Sequence, residues 1–263
     1  MLGSILNMQG MTIFDSSEQD VGSATDMLFD DHFWIIRYIV ADVGGWLRGR
    51  EVLLATSSVA EVQEQIFLMN ITKEQIEKSP PIDTDKPVSR QEEQQLHDHY
   101  QWPHYWDYPT FDNVFPVPAR PLPVAPPSGY MGNHQKEAQE DLQQNYDTHL
   151  RSCREVAGYR IHTTDGELGH IHDFLLESRT WRIRYLIVKT ANILPGKKTL
   201  LSPDWIEGIG WSSKEVIVDV SNQSIKEAPS WHYTDGISRD YEQQLYDHYG
   251  RPGYWVKDKV DNT

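Results

Sequence analysis

The histidines offer the first chemistry. The stretch "HDHYQWPH" carries His97, His99 and His104 beside Asp98, and "IHTTDGELGHIHD" carries His162, His170 and His172. Imidazoles and carboxylates at such spacings are transition-metal ligand types, but a site needs several of them converging on one point. A second phrase near the other end of the chain, "EQQLYDHYGRPGYW", weakens that reading. There Tyr246 stands for His97 and Gly253 for His104, leaving Asp247 and His248 in common. His170 and His172 alternate onto one strand face without counterparts elsewhere. Hydrogen-bonded or solvent-facing histidines are the simpler expectation, and the sequence predicts no metal site and no cofactor.

Nucleophiles fare no better. Cys153 is the single cysteine, which excludes an intrachain disulfide, and "LRSCREVAGY" places neither a Gly-rich elbow nor a basic partner beside it. A structural thiol is expected. "GGWLRG" follows a strand pattern without opening a helix, and its counterpart is "ANILPG", so it is not a phosphate loop. With no paired carboxylates or Ser/His/Asp arrangement in evidence, the chain is expected to be noncatalytic. Its formal charge of −15 opposes phosphate backbones, so no direct nucleic-acid partner is predicted. No apolar run reaches the ~20 residues of a membrane span, and "MLGSILNMQGMTIF" lacks a signal-peptide pattern. The expected setting is cytoplasmic and reducing.

The elements that would position these residues come in two copies. An ungapped overlay sets Gly22 on Gly169, Asp26 on Asp173, Trp34 on Trp181, Arg37 on Arg184, Tyr38 on Tyr185 and Gly49 on Gly196. Further on, Ile76 meets Ile225, Pro80 meets Pro229, Ser89 meets Ser238 and Trp106 meets Trp255. Each copy opens with short β-branched and aromatic runs, "WIIRYIVADV" and "REVLLAT" in one, "WRIRYLIVKT" and "EVIVDVS" in the other, which predict a mainly β unit. If "DDHF" and residues 177–180 are four-residue turns, Asp26 falls opposite Arg37 and Asp173 opposite Arg184, predicting two cross-strand ion pairs.

The stretch "LGHIHDFLLESRTWRIRYLIVKT", followed by "GKKTLLSPDWIEGI", resembles a PRC-barrel domain, and the stretch from Gly22 resembles a second copy. That family is named for the cytoplasmic domain of the photosynthetic reaction-centre H subunit and includes the C-terminal domain of a ribosome maturation factor. The resemblance implies two tandem small β-barrels used for protein contacts. It carries over neither member's own role, because this sequence shows neither the membrane helix of the first nor the preceding domain of the second.

Behind each barrel the sequence predicts a short helical, aromatic tail. Ser89 with Glu92 forms a capping-box pattern, and Leu96 and Tyr100 recur at helical spacing before Tyr105 and Trp106; Leu245, Tyr249, Tyr254 and Trp255 repeat the series. These eight residues are candidates either for packing on the tail's own barrel or for contact with a protein partner. The organisation read from the sequence is a first barrel over 1–79, its tail over 80–106, a Pro-rich linker and lead-in helix over 107–153, a second barrel over 154–228 and its tail over 229–263. The expected function is a noncatalytic adaptor with a protein partner, self-association being open. A small-ligand or metal sensor using the histidine-bearing surfaces is the alternative.

Overall fold

The protein is described from a computed structural model covering residues 2–44, 50–80, 82, 88–106, 149–190, 198–232 and 236–256. Of the proline-rich linker and lead-in helix expected over 107–153, residues 107–148 lie outside the described residues, as does the pair Gly49 and Gly196. In the first unit an arm made of β1 (Leu2–Ser4) and helix α1 (Ile5–Met8) precedes β2 (Thr12–Phe14), β3 (Asp20–Asp30), β4 (Ile35–Asp42), β5 (Glu51–Ala55), β6 (Val59–Gln63) and β7 (Ile66–Met69). Helices α2 (Lys73–Glu77) and α3 (Arg90–Tyr100) follow. The second unit repeats this order: β8 (Leu150–Ser152), α4 (Cys153–Val156), β9 (Arg160–Thr163), β10 (Gly166–Glu177), β11 (Arg182–Thr190), β12 (Thr199–Leu201), β13 (Ile206–Gly210) and β14 (Glu215–Val218), then α5 (Asn222–Glu227) and α6 (Arg239–His248).

Within each unit six strands pair in one order, β5-β4-β3-β2-β7-β6 in the first and β12-β11-β10-β9-β14-β13 in the second. The two outer strands of each order are joined by a single three-residue 3-10 turn, Thr56–Ser58 or Pro203–Trp205. So short a link brings the two edges side by side, and the sheet rolls up around its apolar face. No ladder among the described strands closes the seam, so each unit is a rolled but open barrel. The core takes in fully buried residues such as Ile13, Met27, Phe29, Ile36 and Leu53, and in the second unit Ile161, Ile171, Phe174, Ile183 and Leu200.

The hairpin register departs from the expected one. Asp30 pairs with Ile35 and Phe29 with Ile36, then a bulge puts Leu28 opposite Tyr38 and a second sets Asp26 opposite Val40. The turn begins one residue later than expected because Asp30 Oδ1 accepts from the backbone N–H of His32 at 3.0 Å and of Phe33 at 3.3 Å, while Trp34 takes a left-handed conformation at φ 56°. Trp181 adopts the same φ in the second hairpin, where Glu177 pairs with Arg182 and Asp173 with Ile187. The predicted ion pairs Asp26/Arg37 and Asp173/Arg184 are therefore not formed. Arg37 instead meets Asp30 at 3.3 Å, and Arg184 meets Glu177 at 2.6 Å. The bulges rotate Asp26 and Asp173 away to another task.

That task lies between the units. Leu2–Ser4 does not join its own barrel but adds to β10 of the second, and Leu150–Ser152, which sequence reading placed in the linker, adds to β3 of the first. Ser4 Oγ donates to Asp173 Oδ2 at 2.5 Å and Leu6 N to Asp173 Oδ1 at 3.1 Å. Symmetrically, Ser152 Oγ donates to Asp26 Oδ2 and Arg154 N to Asp26 Oδ1 at 3.0 Å. The two hairpins also bond to each other: Ile36 N donates to Trp181 O at 2.8 Å and Ile183 N to Trp34 O at 2.7 Å. Phe29 and Phe174 pack across the boundary with ring centroids 6.1 Å apart, and Trp181 leans on Phe67 at 6.3 Å. The fourteen described strands thus form one connected sheet with an approximate twofold relation between its halves.

Candidate functional site

The repeated tail is clearest in the second unit. Ser238 caps α6 by accepting from Tyr241 N, and Leu245 and Tyr246 face inward. Glu242, three and four residues before them, must share that face. A buried carboxylate needs donors, and Glu242 has three. Tyr185 Oη donates to it at 2.7 Å, Tyr254 Oη at 2.9 Å, and Arg239 Nη1 stands 2.9 Å away. Gly250, at φ 62°, turns the chain so that Tyr254 and Trp255 fold back along the helix. Arg184 then covers the Tyr254 ring at 4.1 Å and Arg239 covers Trp255 at 4.2 Å. His248 reaches the carbonyl of Ser224 at 2.7 Å and seats the tail on α5.

The first unit builds the same lock with extra imidazoles. Tyr38 and Tyr105 donate to Glu93 Oε1 at 2.9 and 2.7 Å, and Arg90 stands 3.0 Å from Oε2. Arg37 covers Tyr105 at 4.1 Å and Arg90 covers Trp106 at 4.3 Å. His99 reaches the Gln75 carbonyl at 2.9 Å, as His248 does in the other copy. Two additions have no equivalent: His97 Nε2 lies 2.7 Å from the Tyr38 hydroxyl, and His149, from the second unit's arm, lies 2.7 Å from the Tyr105 hydroxyl. Tyr38 brings one hydrogen to two acceptors, Glu93 and His97, so one of these contacts draws its hydrogen from the other partner. The second unit avoids that competition because Tyr246 replaces His97.

Burial dominates the electrostatics here. It pushes the Glu93 carboxyl up and lowers both His97 and His149 to about 4. Released from the fold, both imidazoles return to about 6.5, so between these values the unfolded chain binds more protons and stability declines as pH falls from 6.5 toward 4. Glu93 acts oppositely, since its raised value lets the fold take up a proton on acidification and offsets part of the loss. Each imidazole contributes on the order of 2 kcal/mol of destabilisation at pH 5. Denaturant midpoints at pH 7 and pH 5 check this. A His97→Tyr/His149→Met variant, which adopts Tyr246 and the residue preceding Leu2, is expected to flatten the difference.

Of the eight tail candidates, Tyr249, Tyr254 and Trp255 pack against the core, Tyr105 bonds Glu93 and also reaches His149 of the other unit, and Trp106 lies against His97 and Arg90 of its own tail. Leu96 and Leu245 are fully buried, Tyr100 stacks on Trp102 at 4.1 Å, and Tyr249 packs on Trp205 at 4.5 Å. Of the histidines weighed as ligands for the alternative reading, His97 and His104 have ring centroids 5.6 Å apart, but each is engaged with other groups. His97 Nδ1 points at the Pro103 carbonyl, His99 at Gln75, and His104 stacks on Trp106 near Asp98, while His162 sits 3.3 Å from Glu215. Among the described residues Asp30, Asp31 and His32 do approach one another within 4.8 Å, but Arg37 and Arg151 already neutralise the two carboxylates. Cys153 is buried, and burial pushes its thiol well up, away from nucleophilic use.

Sequence reasoning missed Glu93, Glu242 and the two arms. Their signal was present: Arg90 with Glu93 and Arg239 with Glu242 recur at one spacing, and Leu2-x-Ser4 recurs as Leu150-x-Ser152. Compared with known proteins, residues 4–76 match the family model of the PRC-barrel domain. No curated protein matches the chain. Among the described residues no helix is long and apolar enough to cross a membrane.

Proposed function

We propose that this chain, with a PRC-barrel domain at residues 4–76, is a noncatalytic protein-interaction module: an adaptor that holds two barrels in one fixed relation and presents their outer faces to a protein partner. One observation carries the reading. The Tyr-Glu-Tyr-Arg arrangement recurs in both units with every member bonded inside the chain, so the aromatic tails act as bolts that seal the barrels. The displaced titrations of His97, His149 and Cys153 belong to the same packed interior, as a structural role requires.

The test is quantitative capture from native lysate with the intact chain as bait, beside a folded Trp106→Ala/Trp255→Ala variant. A stoichiometric protein retained by both is the expected result, because neither tail is a hook. Loss of the protein from the folded variant would return the contact surface to the tails. Capture of no protein, with a stoichiometric metal or small molecule carried through mild purification, would sink the adaptor in favour of a ligand sensor.

A further inference from the structure

The arms carry the same chemistry in both directions. Each supplies a short strand to the partner unit's long hairpin, a serine hydroxyl and a helix-start N–H to a buried aspartate, and two apolar side chains, Ile5 and Met8 or Cys153 and Val156, to the interior. Asp26 and Asp173 are 3 % and 1 % exposed beneath the seated arms, so an arm that left without a successor would withdraw a serine hydroxyl and a backbone N–H from a carboxylate that it also covers. Burial already pushes Asp26 up, against the pull of Ser152 and the N–H groups of Met27 and Arg154. Each unit therefore requires an arm, and the arm it uses belongs to the other unit.

Within their three-residue strands, Leu2–Ser4 and Leu150–Ser152, the two arms differ only at the middle position. Arg151 reaches Asp31 of the first hairpin at 3.0 Å, with both side chains about one tenth exposed, and its guanidinium lies 4.1 Å over Trp211. In the other direction Gly3 occupies the corresponding place in the arm, and the overlay sets Ser178 on Asp31. Two first units paired together would leave Asp31 facing a glycine. Two second units would turn Arg151 toward an uncharged serine.

We propose that the arm-accepting face of each unit is a self-sufficient interaction surface whose partner is the Leu-x-Ser arm of another repeat of this kind. In this chain the opposite unit supplies that arm, and the Asp31/Arg151 pair selects unlike over like pairing. The covalent connection through 107–148 then sets local concentration rather than the interface itself.

The experiment cuts the whole folded protein. A single-site protease sequence is inserted between residues 127 and 128, cleavage is followed to completion under denaturing conditions, and native mass is measured on dilution to micromolar concentration. One particle with the mass of the uncut chain is expected. Two separated halves would overturn the proposal. In the cut protein, Asp31→Arg and Arg151→Asp should each weaken association by about tenfold, and together recover most of it. Uncut variants, checked for folding by near-ultraviolet circular dichroism, report structural damage separately. A double variant as weak as the product of the singles would overturn selection by this pair.

Discussion

Replacing Glu93 or Glu242 with alanine is expected to destabilise the protein by about 3–5 kcal/mol, because each substitution breaks a buried charge network by removing its centre. In the second unit the loss leaves Tyr185 and Tyr254 without their acceptor and Arg239 without its carboxylate. A hydroxyl stranded in an apolar interior costs about 1–3 kcal/mol by itself. Glu242→Gln keeps an amide oxygen for both tyrosines and discards only the charge, so it should cost distinctly less than alanine. Urea denaturation of the full chain reads both values. Near-ultraviolet circular dichroism reads the release of Tyr254 and Trp255 from their covering arginines. Equal losses for glutamine and alanine would mean that charge, and not the hydrogen-bond centre, holds the tail.

The second large effect belongs to Gly22. Its φ of 140° lies where side chains are strained, and an added Cβ would stand 2.0 Å from the Asp42 carbonyl oxygen on the neighbouring strand. Strain of this kind costs about 1–3 kcal/mol, and forced displacement of a packed neighbour adds about 1–3 kcal/mol. Gly22→Ala should therefore cost about 3 kcal/mol or more, since backbone cannot swing aside as a flexible side chain can. Gly10 supplies the control. It has a φ of 83° with nothing within 4 Å of a new Cβ, so Gly10→Ala should show only the conformational part, about 1 kcal/mol. Denaturation midpoints that fall equally for both would show that the close approach of β3 to β4 contributes nothing.

Duplication, strand content, the tail helices and their caps were legible in the sequence because each rests on local pattern. Alternation marks a strand, Ser89 and Ser238 mark helix starts, and Leu96 and Leu245 mark the inward face. The match of residues 4–76 to the PRC-barrel family agrees with the resemblance seen in the first copy. Register was not legible. Asp30 shifts the first turn through its own near neighbours, but simple counting outward from a four-residue turn does not register the bulges that carry Asp26 past Arg37.

Pairing at long range was equally hidden. Tyr38 finds Glu93 across 55 positions and Ser152 finds Asp26 across 126, distances over which sequence spacing carries no geometric information. The sequence by itself determined that there are two β units with aromatic tails, since hydrophobic periodicity and capping are properties of neighbouring residues. Only the tertiary structure decided that each unit is completed by the other's arm. That choice depends on burying two aspartates, and burial is a property of the assembled chain.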